Sequence, residues 1–280
     1  MSSGAPAGNA ALDEAASRLV VLLSHERSGS HYLAEMLACG GDLASFDEVC
    51  NFDAVDPEQS KASYFGFRRQ WQEAHPDLAL RPDADAMGRF LDDWLAHILA
   101  LKPAVKLLLD IKYGHVHNFE PGWWPSEHRP YLVKYLDRNR IAVVHLVRRN
   151  AMEAVVSAIA AEKAGVWHRR AAADGGAPAK MRVAIPNVVQ RALLLQREKE
   201  NFHSWLAGTR CFDVAYEDIR DQGPVKNEVL ARLCDHLGIR PSRFASTLER
   251  MTPPLREVVE NYGELRRMAA IFGLPGLPRG

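Results

Sequence analysis

Five consecutive residues, Arg27-Ser28-Gly29-Ser30-His31, carry the clearest chemistry in this chain. Gly29 lets the backbone approach an anion closely, and the N–H groups after it are donors. Ser28 and Ser30 add hydroxyls, and Arg27 adds a fixed charge with a forked donor set. Ahead of them Leu19–Ser24 is a short apolar run, and after them Tyr32, Leu33, Met36 and Leu37 fall at helical spacing. Strand, tight loop, helix is the arrangement that aims helix N-terminal N–H groups at an anion. A triphosphate cradle of the Gly-x-x-x-x-Gly-Lys-[Ser/Thr] kind needs a lysine and a carboxylate for magnesium. Here no lysine follows Gly29, and the apolar run ending at Val147 leads into Arg148 and Arg149. An anionic donor held by arginine, with no metal, fits better.

The elements that must position this loop are legible from periodicity. Val105–Ile111, Ile141–Val147 and Cys211–Ala215 are short Val/Ile/Leu-rich runs of the kind found in buried parallel strands. Asn150 is placed to cap a helix through Met152, Val155, Val156 and Ile159. Residues 187–206 and 224–237 read as amphipathic helices. Strands alternating with helices imply an α/β, three-layer P-loop-like fold with a central parallel sheet flanked by helices. Ligands on such sheets sit beyond the carboxyl ends of the strands. One domain is expected over 17–273, between a small-residue, polar lead-in at 1–16, expected to be flexible, and a tail at 274–280. Within it, about 42–104 reads as a helical insertion or acceptor cap, with helical patterns near 57–74 and 84–101, and 171–186 as a flexible loop.

Composition narrows the function classes. The chain has 280 residues, with Lys+Arg 35 balancing Asp+Glu 35. That balance speaks against a broad nucleic-acid surface. No apolar run is long enough to span a bilayer, and no secretory signal is evident, so a cytoplasmic location is expected. Cys39, Cys50, Cys211 and Cys234 are widely spaced and read as free thiols rather than a metal site.

Four blocks, in order, resemble the sulfotransferase superfamily that uses 3′-phosphoadenosine 5′-phosphosulfate (PAPS), and among its bacterial branches the trehalose 2-sulfotransferase type. They are Ser24-His25-Glu26-Arg27-Ser28-Gly29-Ser30-His31, Asp110-Ile111-Lys112-Tyr113-Gly114-His115, His145 through Ser157, and Asp213-Val214-Ala215-Tyr216-Glu217-Asp218-Ile219. The first is similar to the family's 5′-phosphosulfate loop, in which Arg27 to His31 and the adjoining Tyr32 would hold the donor. The third is similar to its 3′-phosphate block. Arg149 follows the strand and Ser157 lies eight residues on, about two helical turns, so guanidinium and hydroxyl can converge on that phosphate. Arg148 is the alternative if the register shifts by one. Tyr216 would sit near the adenine.

The resemblance also implies a base that takes the acceptor's proton. Glu48 occupies the position of the branch's glutamate, with Asp47 beside it as a competitor. His115, three residues after Lys112, is the rival, because other sulfotransferases carry a histidine base near a strand-end lysine. Lys112 would neutralise the transferring group. His31 stands where the family commonly has threonine, and its role is open. Trp123-Trp124 with Trp167-His168 form a candidate stacking platform for the acceptor. The implied reaction moves a sulfuryl group from PAPS to a hydroxyl of a carbohydrate, glycolipid or small metabolite and releases adenosine 3′,5′-bisphosphate (PAP), without metal. Dimers are common in the family, which makes a homodimer a candidate assembly. Two other readings stay open: a P-loop kinase-like phosphotransferase, and a non-catalytic nucleotide-binding protein on the same fold.

Overall fold

The computed structural model describes residues 17–51, 61–79, 83–103, 105–125, 127–165, 180–221, 227–246 and 254–274. Five strands, β1 (Leu19–Ser24), β2 (Leu43–Glu48), β3 (Lys106–Lys112), β4 (Ala142–Val147) and β5 (Cys211–Ala215), form one parallel sheet in the order β2-β3-β1-β4-β5. The expected α/β architecture is the one adopted. β2 is the exception: residues 43–48 fall inside the stretch expected as a helical insertion and instead form an edge strand. Only Leu43 and Phe46 of β2 are buried, so it lacks the continuous apolar run of an interior parallel strand.

The helices are α1 (Ser30–Ala38), α2 (Tyr64–Ala74), α3 (Pro76–Ala79), α4 (Ala84–Leu101), α5 (Tyr131–Arg138), α6 (Ala151–Ala164), α7 (Ile185–Leu206), α8 (Tyr216–Asp221), α9 (Glu228–Leu237), α10 (Leu255–Val258) and α11 (Tyr262–Ile271). A 3-10 helix, Tyr113–Phe119, follows β3 directly. Alternate residues of β1 serve opposite layers. Leu19, Val21 and Leu23 join a core with Phe90, Trp94 and Ile98 of α4 and Leu132 of α5. Val20 and Leu22 join Leu33, Met36 and Leu37 of α1 and Leu230 and Leu233 of α9. Each such side chain stabilises the fold by about 1.5–3 kcal/mol on full burial. A third cluster knits α6 and α7 to α10 and α11.

Side-chain caps set several helix starts. Asn150 accepts from the Glu153 N–H at 3.1 Å, as its position predicts, and Asn227 accepts from the Leu230 N–H at 3.0 Å. The strand order reverses on either side of β1, with β3 to one side and β4 to the other. The crevice for a ligand in such a sheet opens at that switch point, beyond the end of β1.

Candidate functional site

The loop after β1 reaches that crevice. Arg27 and Gly29 both have left-handed backbone, with φ of 62° and 88°. Gly29 is the N-cap of α1 and brings no side-chain cap, so the first N–H groups of that helix point outward as donors in want of acceptors. Glycine is required here for a second reason. A Cβ on Gly29 would lie 2.4 Å from Cδ2 of Tyr216, far inside contact distance. The fourth sequence block therefore closes down on the first.

The ends of β2, β3 and α1 meet at Lys112. Its Nζ donates to Ser30 Oγ at 2.6 Å, to Asp110 Oδ2 at 2.6 Å and to Ser24 Oγ at 3.3 Å, and it pairs with Glu48 Oε1 at 3.4 Å. Lys112 is 2% exposed and Glu48 26%. Burial alone would push the ammonium toward neutrality. Asp110 and Glu48 outweigh it and hold the pKa of Lys112 above its ordinary value. The residue that closes this group is chosen by a bulge. Ser45 pairs with Leu108 and Glu48 with Asp110, so β2 spends one residue more than β3 over that stretch. Asp47 takes the bend, with φ of 54°, and its N–H donates to Ser45 Oγ at 3.0 Å. The bulge thus delivers Glu48 to Lys112 and leaves Asp47 engaged with its own strand. His31, Glu48 and Asp110 each present a ligand-type atom within 4.8 Å of the others, so His31 belongs to the same group.

On the other side of the crevice, the two arginines divide. Arg148, 7% exposed, donates to the Arg27 carbonyl at 3.2 Å and to Glu153 at 2.9 Å. Its guanidinium lies 5.3 Å from the Tyr216 ring centre. Arg149, 58% exposed, forks onto both carboxylate oxygens of Asp218 at 2.6 Å. Glu217 accepts from the backbone N–H of Arg149 at 3.1 Å and of Asn150 at 3.3 Å. Ser157 is met by Arg27, whose Nε donates to its Oγ at 3.3 Å. Burial, and then the nearby charge of Arg148, lowers the pKa of Arg27. Two guanidiniums side by side make a locus at which an added anion is welcome. Tyr32 and Tyr216 meet edge to face at 6.2 Å.

His115 sits on the 3-10 helix, and its Nδ1 is buried with no hydrogen-bond partner among the described residues. Trp124 donates to the His128 carbonyl at 3.0 Å and packs against Trp205, while Trp123 is exposed. Trp167 and His168 lie outside the described residues, as does most of 171–186. A cavity of about 340 Å³ opens in the helical insertion among Arg68, Trp71, Met87, Phe90 and Glu120. Sequence reasoning missed Asp110 and Lys199. Asp110 is two residues before Lys112 on one strand, hence on the same face, and that spacing was the available signal. Lys199 donates to the carbonyls of Arg148 and Arg149 at 3.1 and 3.3 Å. It comes from a helix remote in sequence, and no local pattern marks it.

Fold and site together define a class: a parallel α/β protein with an uncapped helix start and paired arginines at its switch point. Residues 19–261 match the family model described as Stf0 sulphotransferase, and the chain belongs to that family. Among solved structures it is similar to a sulfotransferase from Alicyclobacillus acidocaldarius, at 12% identity over 91% of this chain and 96% of that one, with a TM-score of 0.41. No curated protein sequence matches it. No helix among the described residues is long and apolar enough to cross a membrane.

Proposed function

We propose that this sulfotransferase takes its sulfuryl group from PAPS and passes it to a hydroxyl of a carbohydrate, glycolipid or small metabolite, with Glu48 as general base. The observation that carries the reading is the Lys112 junction, where a sealed ammonium touches both the anion loop, through Ser30, and an accessible carboxylate, Glu48. Transfer needs these two functions side by side. The Glu48 carboxylate accepts the acceptor's proton as that oxygen attacks sulfur. The sulfur–oxygen bond to the 5′-phosphate breaks, and its electron pair stays on the phosphate. Lys112, Ser30 and the first N–H groups of α1 meet the charge left there. Arg27, Ser28, Gly29, His31 and Tyr32 enclose the 5′ end, with Tyr216 against the adenine. Arg149 and Ser157 take the 3′-phosphate, with Arg149 exchanging the Asp218 carboxylate for it. Arg148 braces the loop from beneath, which favours Arg149 for that role.

Calorimetry with PAP tests the donor, and an acceptor screen with labelled PAPS follows. Tight PAP binding with far weaker binding of the 3′-hydroxyl analogue is expected. Magnesium-dependent ATP turnover with no response to PAPS would refute the proposal. Glu48→Gln should lower kcat by about 10²–10⁴ while leaving PAP affinity near wild type. His115, whose buried Nδ1 has no hydrogen-bond partner among the described residues, is the second candidate base. A wild-type rate in Glu48→Gln together with loss in His115→Ala would transfer the role to it.

A further inference from the structure

A second cluster of chemically able side chains lies away from the loop, on the layer of the sheet that carries Leu23 and Phe202. His145 of β4 and Asp213 of β5 are paired across the parallel ladder, and His145 Nδ1 meets Asp213 Oδ1 at 2.6 Å. His203, near the end of α7, brings its own Nδ1 to the opposite oxygen of the same carboxylate at 3.4 Å. The three ligand-type atoms lie within 4.8 Å of one another. Behind them, the Tyr113 hydroxyl is hydrogen-bonded to His145 Nε2 at 2.5 Å. The ring of Tyr113 stacks on Phe202 at 4.1 Å and 9°, which fixes the part of α7 that presents His203. Each donor is therefore anchored by a different element: β4, β5 and α7.

From this geometry we infer that His145, Asp213 and His203 form a binding site for a divalent transition-metal ion, zinc being the ion their donor set suits best. Two imidazoles beside one carboxylate make a mixed nitrogen and oxygen set that suits zinc better than magnesium or calcium, which take all-oxygen shells. Zinc–ligand bonds of about 2.0–2.1 Å at tetrahedral angles put neighbouring ligand atoms about 3.3 Å apart. His203 Nδ1 stands 3.4 Å from Oδ2 of Asp213 and His145 Nδ1 2.6 Å from Oδ1, so one carboxylate oxygen serves both imidazoles once the Asp213 carboxylate turns and its short contact with His145 opens. Asp213 and His203 are half-exposed or more, which provides an entry path.

In the resting network a neutral His145 donates from Nδ1 to the carboxylate, which can only accept, so Nε2 accepts from the Tyr113 hydroxyl. With metal on Nδ1 the imidazole proton, exchanged through solvent on the exposed side of Asp213, would reside on Nε2, with the Tyr113 oxygen as its acceptor. This is the outer hydrogen bond that orients a metal-bound histidine.

The test is zinc binding by the full-length chain, measured by competition with a chromophoric chelator. A single saturable equivalent in the micromolar range or tighter is expected for wild type. His203→Ala should weaken it by at least about tenfold, as should Asp213→Asn. His203 is 71% exposed, so its variant keeps the fold, and circular dichroism without metal verifies that. His31→Ala distinguishes this site from the His31, Glu48 and Asp110 group, and it should leave the equivalent intact. No saturable equivalent in wild type, unchanged affinity in His203→Ala, or loss of the equivalent in His31→Ala would each overturn the inference.

Discussion

Gly29→Ala tests how the loop and the segment after β5 are locked together. An L-residue at φ 88° carries a left-handed penalty of about 1–2 kcal/mol. The new Cβ would stand 2.4 Å from Tyr216 Cδ2 and 2.7 Å from Cε2, where ordinary contact begins near 3.4 Å, so the ring must retreat by about 1 Å. Tyr216 is not free to do so cheaply, because Arg148 and Arg220 lie 5.3 and 5.8 Å from its ring centre. Overpacking of this kind costs about 1–3 kcal/mol. The sum, about 2–5 kcal/mol, is a large share of a typical stability of about 5–15 kcal/mol. Urea unfolding of wild type, Gly29→Ala, Tyr216→Ala and the double variant measures it. The double variant should recover the overpacking part and retain the backbone part, giving a coupling of about 1–3 kcal/mol. If the two changes add within about 0.5 kcal/mol, or Gly29→Ala unfolds like wild type, the steric account is wrong.

Lys112→Met leaves Asp110, 2% exposed, as a buried carboxylate without its ammonium. A loss of about 3–5 kcal/mol in urea unfolding is expected, and Asp110→Asn added to it should restore part of that. Arg149→Ala should leave stability within about 1 kcal/mol, since the pair with Asp218 is largely exposed. Calorimetry should show it weakening PAP much more than the 3′-hydroxyl analogue, and equal losses would contradict the 3′-phosphate assignment. Asp42, bonded by the Arg240 side chain and backbone, has its pKa lowered to about 2. Its folded value is depressed, so its stabilisation is present above the ordinary carboxylate range and lost as pH falls toward 2. The stability gap between wild type and Asp42→Asn, followed by urea unfolding across pH, should be flat above about pH 5 and close between about pH 4 and pH 2.

Interior strands were legible because they are buried on both faces. Leu19–Leu23 reads as apolar at every turn of the pleat, whereas β2, with two buried residues and an acidic end, offers no such run. Asn150 announced its helix because an N-cap is a local device. Glu48 and Lys112 were named from the sequence, but their meeting depends on the bulge at Asp47, which is set by pairing with β3. The choice between Arg148 and Arg149 was likewise beyond spacing. Which of two adjacent side chains turns inward is decided by Glu153, the Arg27 carbonyl and Asp218.

Lys112 has one more consequence. An ammonium has three N–H bonds, yet four oxygens surround this one, from Ser30, Asp110, Ser24 and Glu48. The cation is oversubscribed, and its weakest claimants are Ser24 and Glu48, at 3.3 and 3.4 Å. An incoming phosphosulfate oxygen would displace one of these before it displaced Ser30 or Asp110. Where Glu48 is the one displaced, donor arrival would free that carboxylate from its counter-ion. If Glu48 is the base, as proposed, it would be paired off in the empty enzyme and released by the donor, and an order of donor before acceptor would follow from one side chain's valence.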